Sequence, residues 1–319
     1  MKTVLHFPAS PAFRQQLLAA APDWLAVAIV DESDEGALRR EVRDAEVLLH
    51  VLTPVSAAMI AAAPRLRLIQ KIGVGVNTID LDAARARGIA VANMPGTNSQ
   101  AVAEMALALM LAALRRIPLL DRATREGRGW ALSPESLDPV GEIGGSSVGL
   151  VGYGEVPRRL APVLQSLGAK VLYTARSRKR EAIGEFVSLS ELLAAADIVS
   201  LHVPLSPETE RMIDAAALAR MKPGAVLVNT ARGALVDEPA LVQALQSGRL
   251  RSAGMDVLAV EPAGAGLALA RLDNVVMTPH VAWLTPETLA RSLDIAIENC
   301  RRLRDGCPLL NQVLPLLSR

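Results

Sequence analysis

The 319-residue sequence predicts an α/β protein built from parallel sheets. Short apolar runs typical of buried strands alternate along the chain with segments whose apolar residues recur at helical spacing. A glycine turn at 152–154 joins one such strand to one such helix. Because parallel strands need a crossover connection, this alternation predicts parallel strands with helices on both faces of each sheet.

The part of the chain before the glycine turn already forms a complete α/β unit by this pattern. The strands are expected at 3–7, 27–30, 47–52, 66–71 and 89–92, and the helices at 10–20, 35–45, 56–63 and 81–87. A buried helix over 100–116, capped by Asn98 or Ser99, follows this unit and is expected to cross between domains. The Gly-, Pro- and Ser-rich segment 127–145 is then expected to be irregular, and either functional or an interface arm.

The alternation resumes at the glycine turn. The expected strands are 148–151, 169–174, 198–203, 225–230, 253–257 and 275–278, and the expected helices are 156–167, 190–196, 214–221, 238–246 and 287–304. Ser190 is the expected N-cap of the helix that runs to residue 196, and Thr285 is the expected N-cap of the helix over 287–304. The nucleotide-binding fold is therefore expected in the second part of the chain.

The strand–turn–helix–strand unit over 147–180 predicts dinucleotide binding. Gly152 and Gly154 allow the backbone to approach a pyrophosphate, and the following helix N-terminus offers free N–H groups. Pro157 stands where the third glycine of the G-x-G-x-x-G fingerprint is expected. Proline is tolerated in a first helical turn, so the helix is still predicted.

The end of the second strand of this unit favours NADPH over NADH. A carboxylate there would bind the ribose hydroxyls of NAD, but Ala175 occupies the position. A basic turn, Arg176–Arg180, follows with four cations and the hydroxyl of Ser177. These groups suit the additional phosphate of NADPH. The alternative is a solvated basic turn without a ligand.

Composition narrows the classes of function. Hydrophobic residues make up 51% and charged residues 21% of the chain, which predicts a large folded core. The net charge of +1 gives no basis for binding nucleic acid or a membrane surface. Cys300 and Cys307 are expected to be reduced thiols, and the N-terminus lacks the features of a signal peptide, so we expect a cytoplasmic protein without a metal.

Three polar residues follow predicted strands of the second part: Arg232, Glu261 and His280. Singly, they could be a surface cation, a loop acid and a loop histidine. Together at the strand ends of one sheet they suit carbonyl reduction, in which histidine transfers the proton, a carboxylate holds its imidazole and raises its pKa, and arginine polarises the carbonyl.

Several motifs resemble the D-isomer-specific 2-hydroxyacid dehydrogenases. They are KIGVGVNTID at 71–80, NMPGTNSQAVAEMALALML at 93–111, VGLVGYGEVP at 148–157, LHVPLSPET at 201–209, MKPGAVLVNTARGALVDEPAL at 221–241, GMDVLAVEP at 254–262 and NVVMTPHVAW at 274–283. The resemblance implies two Rossmann-like domains with parallel sheets, an active site in the interdomain cleft, and a homodimer. It implies a flavodoxin-like substrate-binding domain of 1–98 plus 286–319, and a dinucleotide-binding domain of 99–285.

The resemblance also implies roles for individual residues. His280 would be the acid/base, Glu261 its partner and Arg232 the group that binds the carboxylate and the 2-oxo group. Val74 and Gly75 would hold the substrate carboxylate through their backbone. Trp283 is either a wall of the substrate pocket or an interdomain packing residue. The cofactor would contact Gly152, Gly154, Glu155, Val156, Arg176, Ser177, Arg178, His202, Val203, Pro204, Thr209, Thr230, Ala231, Arg232, Asp256, His280 and Ala282, with Asp256 facing the nicotinamide carboxamide.

The sequence therefore predicts an NADPH-preferring reductase of small 2-keto acids, similar to the glyoxylate and hydroxypyruvate reductases. Glu155 stands where many family members have arginine, and we expect its carboxylate to turn toward Arg158 or Arg159. The alternatives are an NAD-dependent D-2-hydroxyacid or phosphoglycerate dehydrogenase, and a non-catalytic dinucleotide-sensing scaffold. A scaffold would not need the complete set of Arg, Glu and His.

Overall fold

A computed structural model describes residues 1–264 and 266–315 of the chain. Residues 316–319, which end the expected substrate-binding domain, lie outside the described residues. Two compact units are present. One comprises Met1–Asn98 together with the chain from Leu284 onward, and the other comprises Ser99–Trp283.

The strands and helices alternate as the sequence predicts, which confirms the α/β class. The strands are β1 (Lys2–His6), β2 (Ala26–Val30), β3 (Val47–His50), β4 (Leu68–Lys71), β5 (Ala90–Ala92), β6 (Ser147–Val151), β7 (Lys170–Thr174), β8 (Glu185–Phe186), β9 (Ile198–Leu201), β10 (Ala225–Asn229), β11 (Leu250–Met255), β12 (Val275–Met277) and β13 (Gln312–Leu314). The α-helices are α1 (Pro11–Ala20), α2 (Glu35–Glu41), α3 (Ala57–Ala62), α4 (Leu81–Ala86), α5 (Ser99–Leu114), α6 (Ile117–Arg125), α7 (Pro134–Leu137), α8 (Glu155–Ser166), α9 (Leu189–Ala195), α10 (Ala215–Arg220), α11 (Glu238–Gln246) and α12 (Pro286–Asp305).

The first unit contains a sheet in the order β13-β5-β4-β3-β1-β2. Its strands pair in parallel except for β13, which runs antiparallel to β5. Val4, Leu48 and Ile69 are buried on neighbouring strands in the same hydrophobic cluster. Strand β13 was not predicted, since three residues near the chain end give too short an apolar pattern.

The second unit contains a sheet in the order β12-β11-β10-β9-β6-β7-β8, and all of its strand pairs are parallel. Helix α5 packs its buried residues, among them Ala106 and Met110, with Val148 and Leu150 of β6. A second cluster of buried residues, which includes Leu192, Leu227 and Leu241, forms another part of the hydrophobic core of this unit. This order brings β6, β9, β10 and β11 side by side.

Several sequence-based boundaries differ from the structure by a few residues; for example, β9 ends at Leu201 rather than at 203, and α5 ends at Leu114 rather than at 116. The capping residues explain two further differences. The N-cap of α9 is Ser188 rather than Ser190, because Ser188 and Glu191 form a capping box that places Ser190 inside the helix. Helix α2 ends at Glu41 instead of reaching residue 45, since Val42 caps it. Thr285 is the N-cap of α12 as predicted, and its hydroxyl accepts from the N–H of Thr288 at 3.1 Å.

The segment before β6 is more regular than the sequence suggests. Helix α6 follows Arg116, whose φ of 51° turns the chain sharply after α5. The expected irregular segment 127–145 contains a 3₁₀ helix at Gly129–Ala131 and the short helix α7. Within the described part of the chain, no helix combines the length and apolar character needed to cross a bilayer.

Candidate functional site

The candidate residues of the second unit lie at the carboxyl ends of adjacent parallel strands. Val151 of β6 pairs with Leu201 of β9, Leu201 pairs with Asn229 of β10, and Asn229 pairs with Met255 of β11. The strand ends are therefore level, and the loops that follow them share one edge of the sheet. This edge is where open α/β sheets bind ligands.

The glycine turn provides space and hydrogen-bond donors for a phosphate. Gly152 has φ of +97°, and a Cβ there would lie 2.6 Å from the carbonyl oxygen of His202. A Cβ on Gly154 would instead have no atom of the described residues within 4 Å. Among the described residues, no side chain caps the N-terminus of α8. Its free N–H groups and this open space fit a bound pyrophosphate.

The residues after this turn differ in exposure. Pro157 is buried in the first turn of α8, where its missing N–H removes no helical hydrogen bond. Val156 is half-buried and Glu155 is exposed. The expectation for Glu155 was wrong: within 1–264 and 266–315 it forms no ion pair with Arg158 or Arg159. The first turn of a helix nevertheless suits a carboxylate.

The basic turn after β7 is exposed except at the half-buried Lys179, and its cations form no ion pair within the described residues. Arg176, Ser177 and Arg178 are exposed, and Ala175 is half-buried. The ion pairs of the described residues include none of the four cations of 176–180. An anion with several oxygens fits such a turn.

Two buried polar atoms lie at the same edge without a protein partner. They are Nε2 of His202 and Oγ1 of Thr230, and neither has a hydrogen bond within the described residues. Burial lowers the pKa of His202 to about 3, so its imidazole is neutral. Buried polar atoms normally have partners, so these two atoms suit a bound dinucleotide.

The loop after β9 is held by Thr209 rather than leaving that hydroxyl for a ligand. The hydroxyl donates to the carbonyl of Pro204 at 2.8 Å and accepts from the N–H of Ser206 at 2.8 Å. Val203 precedes this turn and is half-buried. Thr209 thus shapes the loop that carries Val203 and Pro204.

Arg232 is held in the loop after β10 by the carbonyl of Ala231 and by Asn229. Its Nη1 donates to the carbonyl of Ala231 at 2.6 Å. Asn229 accepts from the N–H of Ala231 at 3.0 Å and donates to the carbonyl of Arg232 at 2.8 Å. Burial lowers the pKa of Arg232, and the charge of Glu261 opposes this shift. Arg232 is half-buried, and a partly desolvated guanidinium binds a carboxylate more strongly than a fully solvated one.

Glu261 and His280 form a direct pair. The distance between Nδ1 of His280 and Oε2 of Glu261 is 2.6 Å. Oε1 of Glu261 accepts from the N–H of Leu258 at 2.8 Å. Burial acts to raise the pKa of Glu261, but these two hydrogen bonds and the charges of His280 and Arg232 outweigh it, so the pKa lies below its ordinary value. The pair can hold an imidazole in one tautomer.

His280 is presented by a strained loop that Asp256 organises. Its φ of 55° is unusual for a residue with a side chain, and its N–H donates to the carbonyl of Asp256 at 2.7 Å. The Asp256 carboxylate accepts from the hydroxyl of Thr278 at 2.5 Å and from the N–H groups of Val281 and Ala282, each at 3.0 Å. Asp256 was expected to face a nicotinamide, and it is already engaged by this loop.

Trp283 supports the same loop. Its indole N–H donates to the carbonyl of His280 at 3.1 Å, and its side chain is buried. The two roles expected for Trp283, a wall of the substrate pocket or interdomain packing, did not include this hydrogen bond to His280. Tryptophan in a core commonly places its N–H on such an acceptor.

Gly233 and Asn229 are positioning residues that the sequence analysis missed. A Cβ on Gly233 would overlap with the carbonyl group of Leu258, so only glycine lets the Arg232 loop approach the loop that leads to Glu261. Asn229 is fully buried at the end of β10. A glycine directly after the arginine and a polar residue ending an apolar strand were the available signals.

Val74 and Gly75 lie in the first unit, in the loop after β4. The carbonyl of Val74 accepts from the side-chain amide of Asn93 at 2.8 Å, and the carbonyl of Gly73 accepts from the N–H of Met94 at 2.8 Å. The Val74 side chain is exposed. The loop is thus fixed by the segment after β5.

The sheet, the open glycine turn and the loops at its carboxyl edge define a dinucleotide-binding α/β protein. The family model described as "D-isomer specific 2-hydroxyacid dehydrogenase, NAD binding domain" matches residues 107–282. The chain belongs to this family, and its second unit contains the family's NAD-binding domain.

Relatives with known names support this assignment. A D-3-phosphoglycerate dehydrogenase of Mycobacterium bovis is 42% identical over 289 residues, covering 89% of this chain and 54% of the relative, so the chain spans about half of that protein's length. A glyoxylate reductase of Korarchaeum cryptofilum is 39% identical over 271 residues, covering 83% of this chain and 81% of the relative. The crystal structure of an NADPH-dependent glyoxylate/hydroxypyruvate reductase from Sinorhizobium meliloti in complex with NADP and malonate matches with a TM-score of 0.85 and 28% identity, covering 100% of this chain and 98% of that chain.

Proposed function

We propose that this protein is an NADPH-preferring reductase that converts small 2-keto acids of the glyoxylate and hydroxypyruvate type to D-2-hydroxy acids. The observation that carries the proposal is the pair of His280 and Glu261, with a 2.6 Å contact, at the same sheet edge as the half-buried Arg232. These are the acid/base, its partner and the carboxylate-binding cation that the reaction requires.

The imidazole of His280 has one nitrogen committed to Glu261. Its Nε2 is therefore the atom that donates the proton to the keto oxygen as the carbonyl is reduced. Glu261 accepts the Nδ1–H and stabilises the imidazolium before that transfer. Arg232 binds the carboxylate of the substrate and polarises the keto oxygen.

The cofactor fits the glycine turn, the neutral His202 and the Thr230 hydroxyl. When bound, NADPH supplies the hydride for the keto carbon. The exposed cations Arg176 and Arg178, with Ser177, bind its 2′-phosphate, since no carboxylate of the described residues pairs with them and Ala175 leaves no acid to repel it. The NADP-bound reductase among the structural relatives supports this cofactor.

We further propose a homodimer in the cytoplasm. Trp130 is 89% exposed in the 3₁₀ helix at Gly129–Ala131, and Ile117 and Leu137 are exposed on either side of it in sequence. Exposed large apolar groups in one segment are typical of an interface. Cys300 and Cys307 are free thiols, which suits a reducing compartment.

The test is a panel of 2-keto acids, including glyoxylate, hydroxypyruvate and pyruvate, with the absorbance of NADPH or NADH as the readout. We expect a higher kcat/KM with NADPH, and a D-2-hydroxy product from the prochiral substrates hydroxypyruvate and pyruvate. The His280→Ala variant should retain NADPH binding and lose turnover. Absence of turnover with every keto acid, or retained turnover in that variant, would overturn the proposal.

An NAD-dependent phosphoglycerate dehydrogenase is the second candidate, because the relative of that name is 42% identical over 289 residues. The same assay distinguishes it when D-3-phosphoglycerate and NAD are supplied in the oxidative direction. Faster turnover with this pair than with glyoxylate and NADPH would favour the second candidate.

A further inference from the structure

Two tyrosine hydroxyls hold the basic turn that connects β7 to β8. The Tyr173 hydroxyl accepts from the N–H of Lys179 at 3.0 Å and lies 3.3 Å from the carbonyl of that residue, to which it donates. The Tyr153 hydroxyl accepts from the N–H of Ile183 at 2.8 Å and donates to its carbonyl at 3.1 Å. Each hydroxyl therefore binds both backbone groups of one residue, near the two ends of the segment 179–183.

The two tyrosines form a rigid base for these contacts. Their ring centroids are 4.5 Å apart, and the ring of Phe186 lies 5.4 Å from that of Tyr173. Both tyrosine side chains are buried, so the hydroxyls are fixed by ring packing rather than by solvent. Gly184, with φ of +116°, then returns the chain to β8 close to the carbonyl of Val171.

The turn needs such restraint because it concentrates like charges. Arg176, Arg178, Lys179 and Arg180 fall within five residues, and none of them belongs to an ion pair of the described residues. Mutual repulsion favours open conformations of such a loop. A phosphate binds more tightly when the cations are already gathered, because less conformational entropy is lost on binding.

We propose that Tyr153 and Tyr173 are positioning residues for cofactor choice: their hydroxyls shape the basic turn into a preformed site for the 2′-phosphate of adenosine. The inference rests on the proposed preference for NADPH. Tyr153 stands between Gly152 and Gly154, so the residue that holds Ile183, three positions after the basic turn, also belongs to the glycine turn. The tyrosine thereby couples the expected pyrophosphate and 2′-phosphate regions.

The experiment compares adenosine 2′,5′-bisphosphate with adenosine 5′-monophosphate as ligands of the full chain. Calorimetric Kd values are measured for the natural protein, Tyr173→Phe, Tyr153→Phe and Phe186→Leu. Phe186→Leu is the matched control, since it alters the aromatic cluster and keeps both hydroxyls. Each tyrosine variant loses the hydrogen bonds of one hydroxyl. This loss should weaken binding of the bisphosphate about 3- to 10-fold and leave binding of the monophosphate unchanged. The KM for NADPH should rise while kcat and the KM for NADH do not.

The outcomes separate the two proposals. Equal binding of both ligands by the natural protein overturns the NADPH preference and this inference with it. A preference for the bisphosphate that persists in both tyrosine variants overturns only the inference. Amide hydrogen exchange gives a test without a ligand: Lys179 should exchange faster in Tyr173→Phe, and Ile183 in Tyr153→Phe. Unchanged exchange at both amides would also overturn the inference.

Discussion

Nδ1 of His280 lies 2.6 Å from Oε2 of Glu261, and this contact leaves Nε2 as the only imidazole nitrogen for a substrate. The carboxylate is itself fixed by the N–H of Leu258 at 2.8 Å. The orientation of the imidazole thus depends on one side chain from the loop after β11. This dependence makes Glu261 a direct test of the proposed acid/base.

Glu261→Gln should lower kcat about 100-fold, within the range that acid/base groups contribute. The amide still contacts Nδ1 but no longer stabilises the imidazolium. Steady-state kinetics with glyoxylate and NADPH measure the effect, and NADPH binding should be unchanged. Glu35→Gln, at an exposed pair with Arg39, is the control. A kcat equal to that of the natural protein would remove Glu261 from the proposed machinery.

Gly233→Ala should destabilise the second unit and lower activity. The new methyl group would overlap with the carbonyl of Leu258, and relief of such overpacking costs about 1–3 kcal/mol. Thermal unfolding and kcat/KM measure the two effects. Gly154→Ala is the matched comparison: its Cβ meets no described protein atom within 4 Å, so it should fold normally and lose cofactor affinity. Equal stability of the two variants would contradict the steric argument.

Arg176→Ala should lower kcat/KM for NADPH about 10-fold or more and leave that for NADH nearly unchanged. The change removes one charge-assisted hydrogen bond to the 2′-phosphate, which is worth about 1.5–3 kcal/mol. Parallel kinetics with both cofactors give the measurement, with Arg39→Ala as a surface control. A uniform loss with both cofactors would mean that Arg176 does not bind the 2′-phosphate.

Trp130→Ser should shift the protein from a two-chain to a one-chain mass in light scattering after size exclusion. The indole is 89% exposed within a single chain, and its burial in a dimer would stabilise the association. Leu18→Ser, at an exposed position on α1, is the control and should leave the mass unchanged. A natural protein of one-chain mass would contradict the proposed dimer.

Local patterns predicted most elements of this fold, and long-range contacts account for what they missed. The run 238–246 matches α11 residue for residue, because its cap and apolar spacing are both local. Arg232, Glu261 and His280 could be selected because each follows a predicted strand. The contact that gives Gly233 its role is with Leu258, and the contact of the Tyr153 hydroxyl is with Ile183. The local pattern marked the glycine after Arg232 but predicted neither long-range contact.

Acid should destabilise the first unit through His50. Its Nε2 lies 2.8 Å from the hydroxyl of Thr78, and burial, together with the charges of Lys71 and His6, lowers the pKa of His50 from 6.5 to about 2. Below pH 6.5 the unfolded chain therefore binds a proton that the folded chain does not, so stability present at neutral pH is lost as the pH falls. The change in the free energy of unfolding with pH approaches about 1.4 kcal/mol per pH unit near pH 5.

The variant His50→Gln tests this prediction, because it keeps a side-chain amide within reach of Thr78 and cannot titrate. Its free energy of unfolding, from urea titrations between neutral pH and pH 5, should fall less steeply by up to this amount. His202, whose pKa is also lowered by burial, acts in the same direction in both proteins. Identical slopes for the two proteins would show that His50 is not neutral in the folded state.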